Sequence, residues 1–220
     1  CMGGIAGIHQ GSGTISRCTN AGSIDFMAAT GSNGVNVIGG IVSKTDAATT
    51  IENCTNSGAI TNKNAGVLYI GGIIGNTHSS TDKTYTVNLT SNTNAGNIDV
   101  QAVGTDESAA GGICGLVSGA TLTTCTNTGV ISVTTGSLVH VGGVAGMYRL
   151  SYGAKLDRCV NGTENMAESL FAYNATAGQT RLGGVLGHCH ESSGKLELVG
   201  CYNHSPINIS HAGLRQVGGL

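Results

Sequence analysis

Proline occurs once in 220 residues, tryptophan not at all, phenylalanine twice and tyrosine six times. Charged residues reach only 10%, against about 25% in an ordinary soluble domain. Few charged helix formers beside 37 glycines argue against a helical bundle. Ten Lys and Arg against twelve Asp and Glu leave a net charge of −2, so the chain lacks the basic field that nucleic acid or an anionic membrane surface requires. No apolar run approaches the ~20 residues that cross a bilayer. Glycine is frequent but does not recur at the strict period of three that a collagen helix needs. Apolar residues at 40% exclude disorder by composition.

What is present is repetition. A Gly-Gly doublet followed by a branched aliphatic begins at Gly3, Gly39, Gly71, Gly111, Gly142 and Gly183, and a seventh starts at Gly218. The unequal spacing between fixed anchors is what insertions between stacked turns produce. A second anchor lies inside each unit, running Ile15–Ile24, Ile51–Ile60, Leu89–Ile98, Leu122–Ile131, Leu156–Asn165 and Leu198–Ile207. Its first column is aliphatic throughout. Its fourth is Cys18, Cys54, Asn92, Cys125, Cys159 and Cys201, and its sixth is always asparagine: Asn20, Asn56, Asn94, Asn127, Asn161 and Asn203. The tenth is isoleucine in five units, with Asn165 the exception.

Columns four, six, eight and ten share a face of an extended strand. The first column has the opposite parity, so a corner or bulge is expected between it and the cysteine. A unit of about 35 residues cannot bury its own apolar face, but stacked units can. The fold expected is therefore all β: a single-domain β-solenoid of about six coils, three-sided, and right-handed by the general crossover rule. Units start near residues 2, 38, 70, 110, 141, 182 and 217. Strands stacked about 4.8 Å apart turn each column into a row of like residues. Stacked asparagines can hydrogen-bond from coil to coil, where a buried amide without partners costs about 1–3 kcal/mol. Alternatively, each asparagine serves a left-handed turn, which Asn tolerates. Both readings are structural.

The strings Gly4-Ile5-Ala6-Gly7, Gly72-Ile73-Ile74-Gly75, Gly112-Ile113-Cys114-Gly115, Gly143-Val144-Ala145-Gly146 and Gly184-Val185-Leu186-Gly187 resemble the GLUG motif, with Gly40-Ile41-Val42-Ser43 departing at its last residue. Together with the downstream Cys-Thr-Asn-x-Gly-x-Ile, the resemblance covers the whole chain. It implies a bacterial secreted or surface-attached protein of the adhesin or exported-peptidase kind, in which such repeats form a non-catalytic stalk. It further implies an extracellular or cell-surface location and a host or neighbouring-cell surface protein or glycan as partner. The chain starts within one motif and stops within another, without polar caps, so it is expected to be an excerpt of a longer array. Its unpaired terminal strands are templates for end-to-end self-association.

Eight cysteines in an exported protein suggest disulfides, and adjacent rungs would bring Cα atoms within disulfide range. A column of five cannot pair completely, and Asn92 interrupts it. Buried, unreactive thiols are the other reading, with Cys189 and Cys201 the pair best placed to differ. Neither catalysis nor a cofactor is expected. The twelve acids are scattered, whereas carbohydrate-processing β-helices need converging carboxylates. His188, Cys189, His190 and Glu191, with His204 and His211 beyond, are the one ligand-like run. Zinc-binding spacings are missing, so no metal site is expected and these histidines read as loop residues. Tyr148, Tyr152, Phe171 and Tyr173 cluster in the fifth unit as possible contacts for a glycan or protein ligand.

Overall fold

The computed structural model describes residues 1–27, 34–63, 66–77, 85–101, 107–134, 138–149, 152–164, 171–175, 179–190, 194–211 and 214–218; the side chains of 171–175, 179, 210, 211, 214 and 215 lie outside that description. The described residues contain strands and no helix, so none that is long and apolar enough to cross a membrane. All strand pairings are parallel and join equivalent positions of successive units. The chain is a β-solenoid.

Each coil contributes to five ladders, one seven strands deep and four six strands deep. The fourth coil shows the order. Ser108–Gly111 lies in what we term the doublet wall, Cys114–Val117 in the return wall, and Ala120–Thr123 in the aliphatic wall. Thr126–Asn127 lies in the asparagine wall and Ile131–Val133 in the closing wall. The turn between the first two walls is too tight for a side chain. A Cβ added to Gly111, for example, would lie 2.0 Å from the Cys114 carbonyl oxygen across the turn between the first two walls.

The corner that column parity demands lies at the third column. Arg17, Asn53, Ser91, Thr124 and Arg158 all have φ between 50° and 53°, and Gly200 has 56°. The left-handed residue is therefore the one before the cysteine, not the asparagine. After this corner, the fourth-column side chain reaches back to a first-column carbonyl of the preceding coil. Cys54 Sγ donates to Ile15 O at 3.6 Å, Cys125 to Leu89 O at 3.5 Å, Cys159 to Leu122 O at 3.5 Å and Cys201 to Leu156 O at 3.3 Å. Asn92 does the same through Nδ2 to Ile51 O at 2.8 Å, and its Oδ1 accepts from the Cys54 amide. A small side chain carrying a donor is what the corner requires, and either residue supplies it.

A β-branched residue is badly suited to positive φ. Thr124→Asn is therefore expected to stabilise the chain by about 0.5–1 kcal/mol, since Asn53 already occupies the equivalent corner. A urea midpoint that stays the same or falls would show that the Thr124 hydroxyl, which meets Ser91 Oγ at 3.0 Å, outweighs the backbone strain.

The interior is split into two apolar cores. One holds Ile73, Ile113 and Val144 from the doublet turns together with Leu89, Leu122, Cys125 and Tyr148. The other packs Ile38, Ile70, Ala110 and Val141 of the doublet wall against Ile60, Ile98 and Ile131 of the closing wall. The sixth-column asparagines stand at the division, pressed against the second glycine of each doublet. A Cβ on Gly72, Gly112 or Gly143 would lie 2.2 Å from Cγ of Asn94, Asn127 or Asn161 respectively. The tube is pinched there. In the fifth coil the closing position is held by Phe171, in register with Ile131 and Ile207, because an insertion displaces it beyond Asn165, which lies outside the described residues.

Candidate functional site

The asparagines form one hydrogen-bonded row. Asn20 Nδ2 donates to Asn56 Oδ1 at 2.8 Å, Asn56 to Asn94 at 2.8 Å, Asn94 to Asn127 at 2.8 Å, Asn127 to Asn161 at 2.9 Å and Asn161 to Asn203 at 2.9 Å. The second Nδ2 proton is also used. It goes to the carbonyl two residues on, as in Asn56 to Gly58 O at 3.0 Å and Asn94 to Gly96 O at 2.9 Å. Asn56, Asn94, Asn127 and Asn161 are fully buried. This row holds the coils in register and offers nothing to a ligand.

Cys18 and Cys201 are partly exposed, while Cys54, Cys125 and Cys159 are buried. All eight thiols are free, Cys189 among them on the surface. Burial pushes Cys54 and Cys114 above the ordinary thiol value. The sulfur contacts with Cys159 draw Cys125 and Cys201 below it, and raise Cys159 in turn.

The four aromatic residues of the fifth unit do not form one surface. Tyr148 is 1% exposed, inside the first core, and its hydroxyl donates to Tyr152 O at 3.2 Å. It has no face to give a ligand because the last position of the return wall turns inward, as Val117 does one coil earlier. Tyr152 is partly exposed and, with Tyr85, Lys155, Lys195 and Glu197, lines a surface groove of about 530 Å³ along the aliphatic wall. The backbones of Phe171 and Tyr173 belong to the closing wall, and their side chains lie outside the described residues.

A different cluster lies where the return wall packs over the doublet wall of the preceding coil. Outward positions of the two walls face each other there. In earlier coils they hold Tyr69, Ala109, Leu116 and Met147, a small apolar cluster. The next positions in the same register are His140, Arg181 and His188. His140 and His188 stack with ring centroids 4.4 Å apart. Glu107, just before the fourth doublet strand, points at both. Its Oε1 lies 2.7 Å from His140 Nε2, 3.6 Å from Arg181 Nη1 and 3.8 Å from His188 Nε2, and its Oε2 is 3.7 Å from Arg149 Nη1. His140 is fully buried, and its Nδ1 has no hydrogen-bond partner.

Burial opposes ionisation of Glu107, but the hydrogen bond and charge of His140, with His190 and His188, outweigh it and hold the carboxyl below the usual range. Burial also holds His140 below the ordinary imidazole value against the pull of Glu107. Burial, then His140 and Arg181, bring His188 down to about 4. At neutral pH the cluster is therefore a carboxylate facing two uncharged imidazoles, with two guanidinium groups at its rim. The donor atoms of Glu107, His140 and His188 lie within 4.8 Å of one another.

Sequence reasoning placed His188 in a loop, but it lies within the strand Leu186–Cys189, with its side chain 18% exposed. It overlooked Glu107 and His140 altogether. The available signal was the alignment of each doublet-wall strand, in which His140 replaces the Ala109 of the preceding unit. Glu191 and the side chain of His211 lie outside the described residues. His204 stacks on Tyr202 at 6.0 Å in the last coil, in the asparagine-wall region. No known protein family, curated protein or solved structure matches the chain.

Proposed function

We propose that the chain is a non-enzymatic structural or adhesive segment of a secreted or cell-surface protein, acting as a stalk, fibre or adhesin scaffold of the kind the GLUG-like repeats resemble. The observation that carries this reading is the unbroken asparagine row, Asn20 to Asn203. It spends the most regular polar residues of the chain on joining coils, which suits a rigid spacer. Two acidic groups of the aliphatic wall are taken up in local ion pairs, Lys155–Asp157 at 3.3 Å and Lys195–Glu197 at 2.6 Å, instead of converging as a hydrolytic pair does. Most of the exposed large apolar side chains, among them Ile5, Ile8, Leu198, Val199 and Val217, belong to the first and last coils, with Val35 in the second. These are the faces on which further coils or a second copy would stack.

A second reading is glycan binding in the groove of Tyr85 and Tyr152, where two aromatic residues stand beside two lysines and a carboxylate. Both readings meet one experiment. An antibody raised against the folded chain should label intact, unpermeabilised source cells, and the purified chain should release no reducing ends from a polysaccharide panel. Labelling only after permeabilisation would remove the surface role, and sugar release would remove the non-enzymatic one. Binding to a glycan array that Tyr152→Ala abolishes would favour the second reading.

A further inference from the structure

We propose that Glu107, His140 and His188 form a binding site for a divalent transition-metal ion, Zn²⁺ above all, which would tie three successive coils together. The donors are two imidazole nitrogens and a carboxylate oxygen, a three-ligand set that zinc accepts with water in the fourth position. Imidazole with carboxylate also favours this class of ion over Ca²⁺ or Mg²⁺, which take oxygen ligands. Donors at zinc–ligand distances of about 2.0–2.1 Å around a tetrahedral ion are about 3.3 Å apart. Glu107 Oε1 lies 2.7 Å from one imidazole nitrogen and 3.8 Å from the other, either side of that spacing, and all three donors lie within 4.8 Å of one another.

The protein holds these groups in place. His140 lies within a strand paired on both sides, and His188 lies within a strand paired with that of the preceding coil. Their contact is fixed by packing between walls. Coordination through His140 Nε2 needs its proton moved to Nδ1. Because Nδ1 has no partner at present, that shift sacrifices no hydrogen bond there. Arg149 and Arg181 now balance the carboxylate, but their side chains are 41% and 28% exposed and have solvent to swing into, leaving the cation in their place. A cavity of about 330 Å³, lined by Arg181, His188 and Cys189 among others, opens beside the cluster as an entry path.

This inference is independent of the scaffold reading. Its test is titration of the chelator-stripped full chain with Zn²⁺ by calorimetry, and with Co²⁺ by visible absorption. One equivalent should bind and raise Tm, and Co²⁺ should give the intense bands of a four-coordinate nitrogen–oxygen site. His188→Ala and Glu107→Gln, each checked for retained β circular dichroism, should weaken binding by at least about 100-fold; His188 is only partly buried, so its loss is survivable for the fold. Cys189→Ser should leave the affinity unchanged, and Arg181→Ala should leave it unchanged or tighten it. No binding to the wild type, or binding that survives His188→Ala and is lost in Cys189→Ser, would overturn the proposal. So would a loss in Arg181→Ala equal to that in His188→Ala, since the guanidinium would then be binding an anion.

Discussion

Asn127→Leu is expected to cost about 4 kcal/mol of unfolding free energy, among the largest effects of any single substitution in this chain. Leucine is close to asparagine in reach, so the loss is one of hydrogen bonds more than of volume. Four buried groups each lose a hydrogen bond: Asn94 Nδ2, which keeps only Gly96 O, Asn161 Oδ1, and the amide and carbonyl of Gly129. At about 1–3 kcal/mol for each unsatisfied group, even a full gain of about 1.5–3 kcal/mol from the buried leucine leaves a large deficit. The position along the row supplies the control. Asn20 has one row neighbour, Asn56, and sits in the terminal coil, so Asn20→Leu should cost less than half as much. Urea unfolding of both variants decides the matter. Equal costs at the two positions would mean that each asparagine serves only its own turn and that coil-to-coil bonding adds nothing.

Gly112→Ala is expected to be nearly as damaging, by overpacking. The added methyl would lie 2.2 Å from Asn127 Cγ and 2.2 Å from the Gly143 carbonyl oxygen. Neither can withdraw, since one is held in the row and the other is backbone of the next coil. Overpacking typically costs 1–3 kcal/mol, occasionally more; with a backbone atom on one side, about 3 kcal/mol or above is expected here. Gly7→Ala, in the same motif but with nothing within 4 Å of the added carbon, should be close to neutral. Combining Gly112→Ala with Asn127→Ala should cost less than the two singly added, because removing the amide relieves one of the two clashes. Strict additivity would mean that the glycine column and the asparagine row are not in contact as described.

Together these two substitutions probe why the Gly-Gly doublet and the asparagine recur in step. The doublet's first glycine makes the turn between two walls, and its second admits the amide that separates the two cores. A side chain at either position would push the coil apart. The repeat is thus defined less by its apolar residues, which vary among Ile, Val, Leu and Ala, than by positions where only a hydrogen atom fits.

The parallel stacking was legible in the sequence because a solenoid places equivalent residues over one another, so local chemistry repeats at each rung and shows as columns. The corner before the cysteine was legible for the same kind of reason: column one and column four differ in parity, and the backbone must turn to bury both. Neither inference needs a contact between dissimilar positions. The Glu107, His140 and His188 cluster does. Its members come from three coils and from columns with no fixed chemistry, the His140 column also holding Tyr69, Ala109 and Arg181 and the His188 column Lys44, Asn76, Leu116 and Met147, and they meet because the return wall lies over the doublet wall of the preceding coil. That overlap is set by the close approach of Gly115, Gly146 and Gly187 to neighbouring backbone, a distance with no counterpart in residue spacing. Tyr148 was unreadable for a related reason, since its side chain points into the first core only because the return wall turns inward at its end. Column identity along the axis is thus a property of the amino-acid sequence. What each column faces across the tube was decided by the tertiary structure, because contacts between walls depend on where the glycines let two backbones touch.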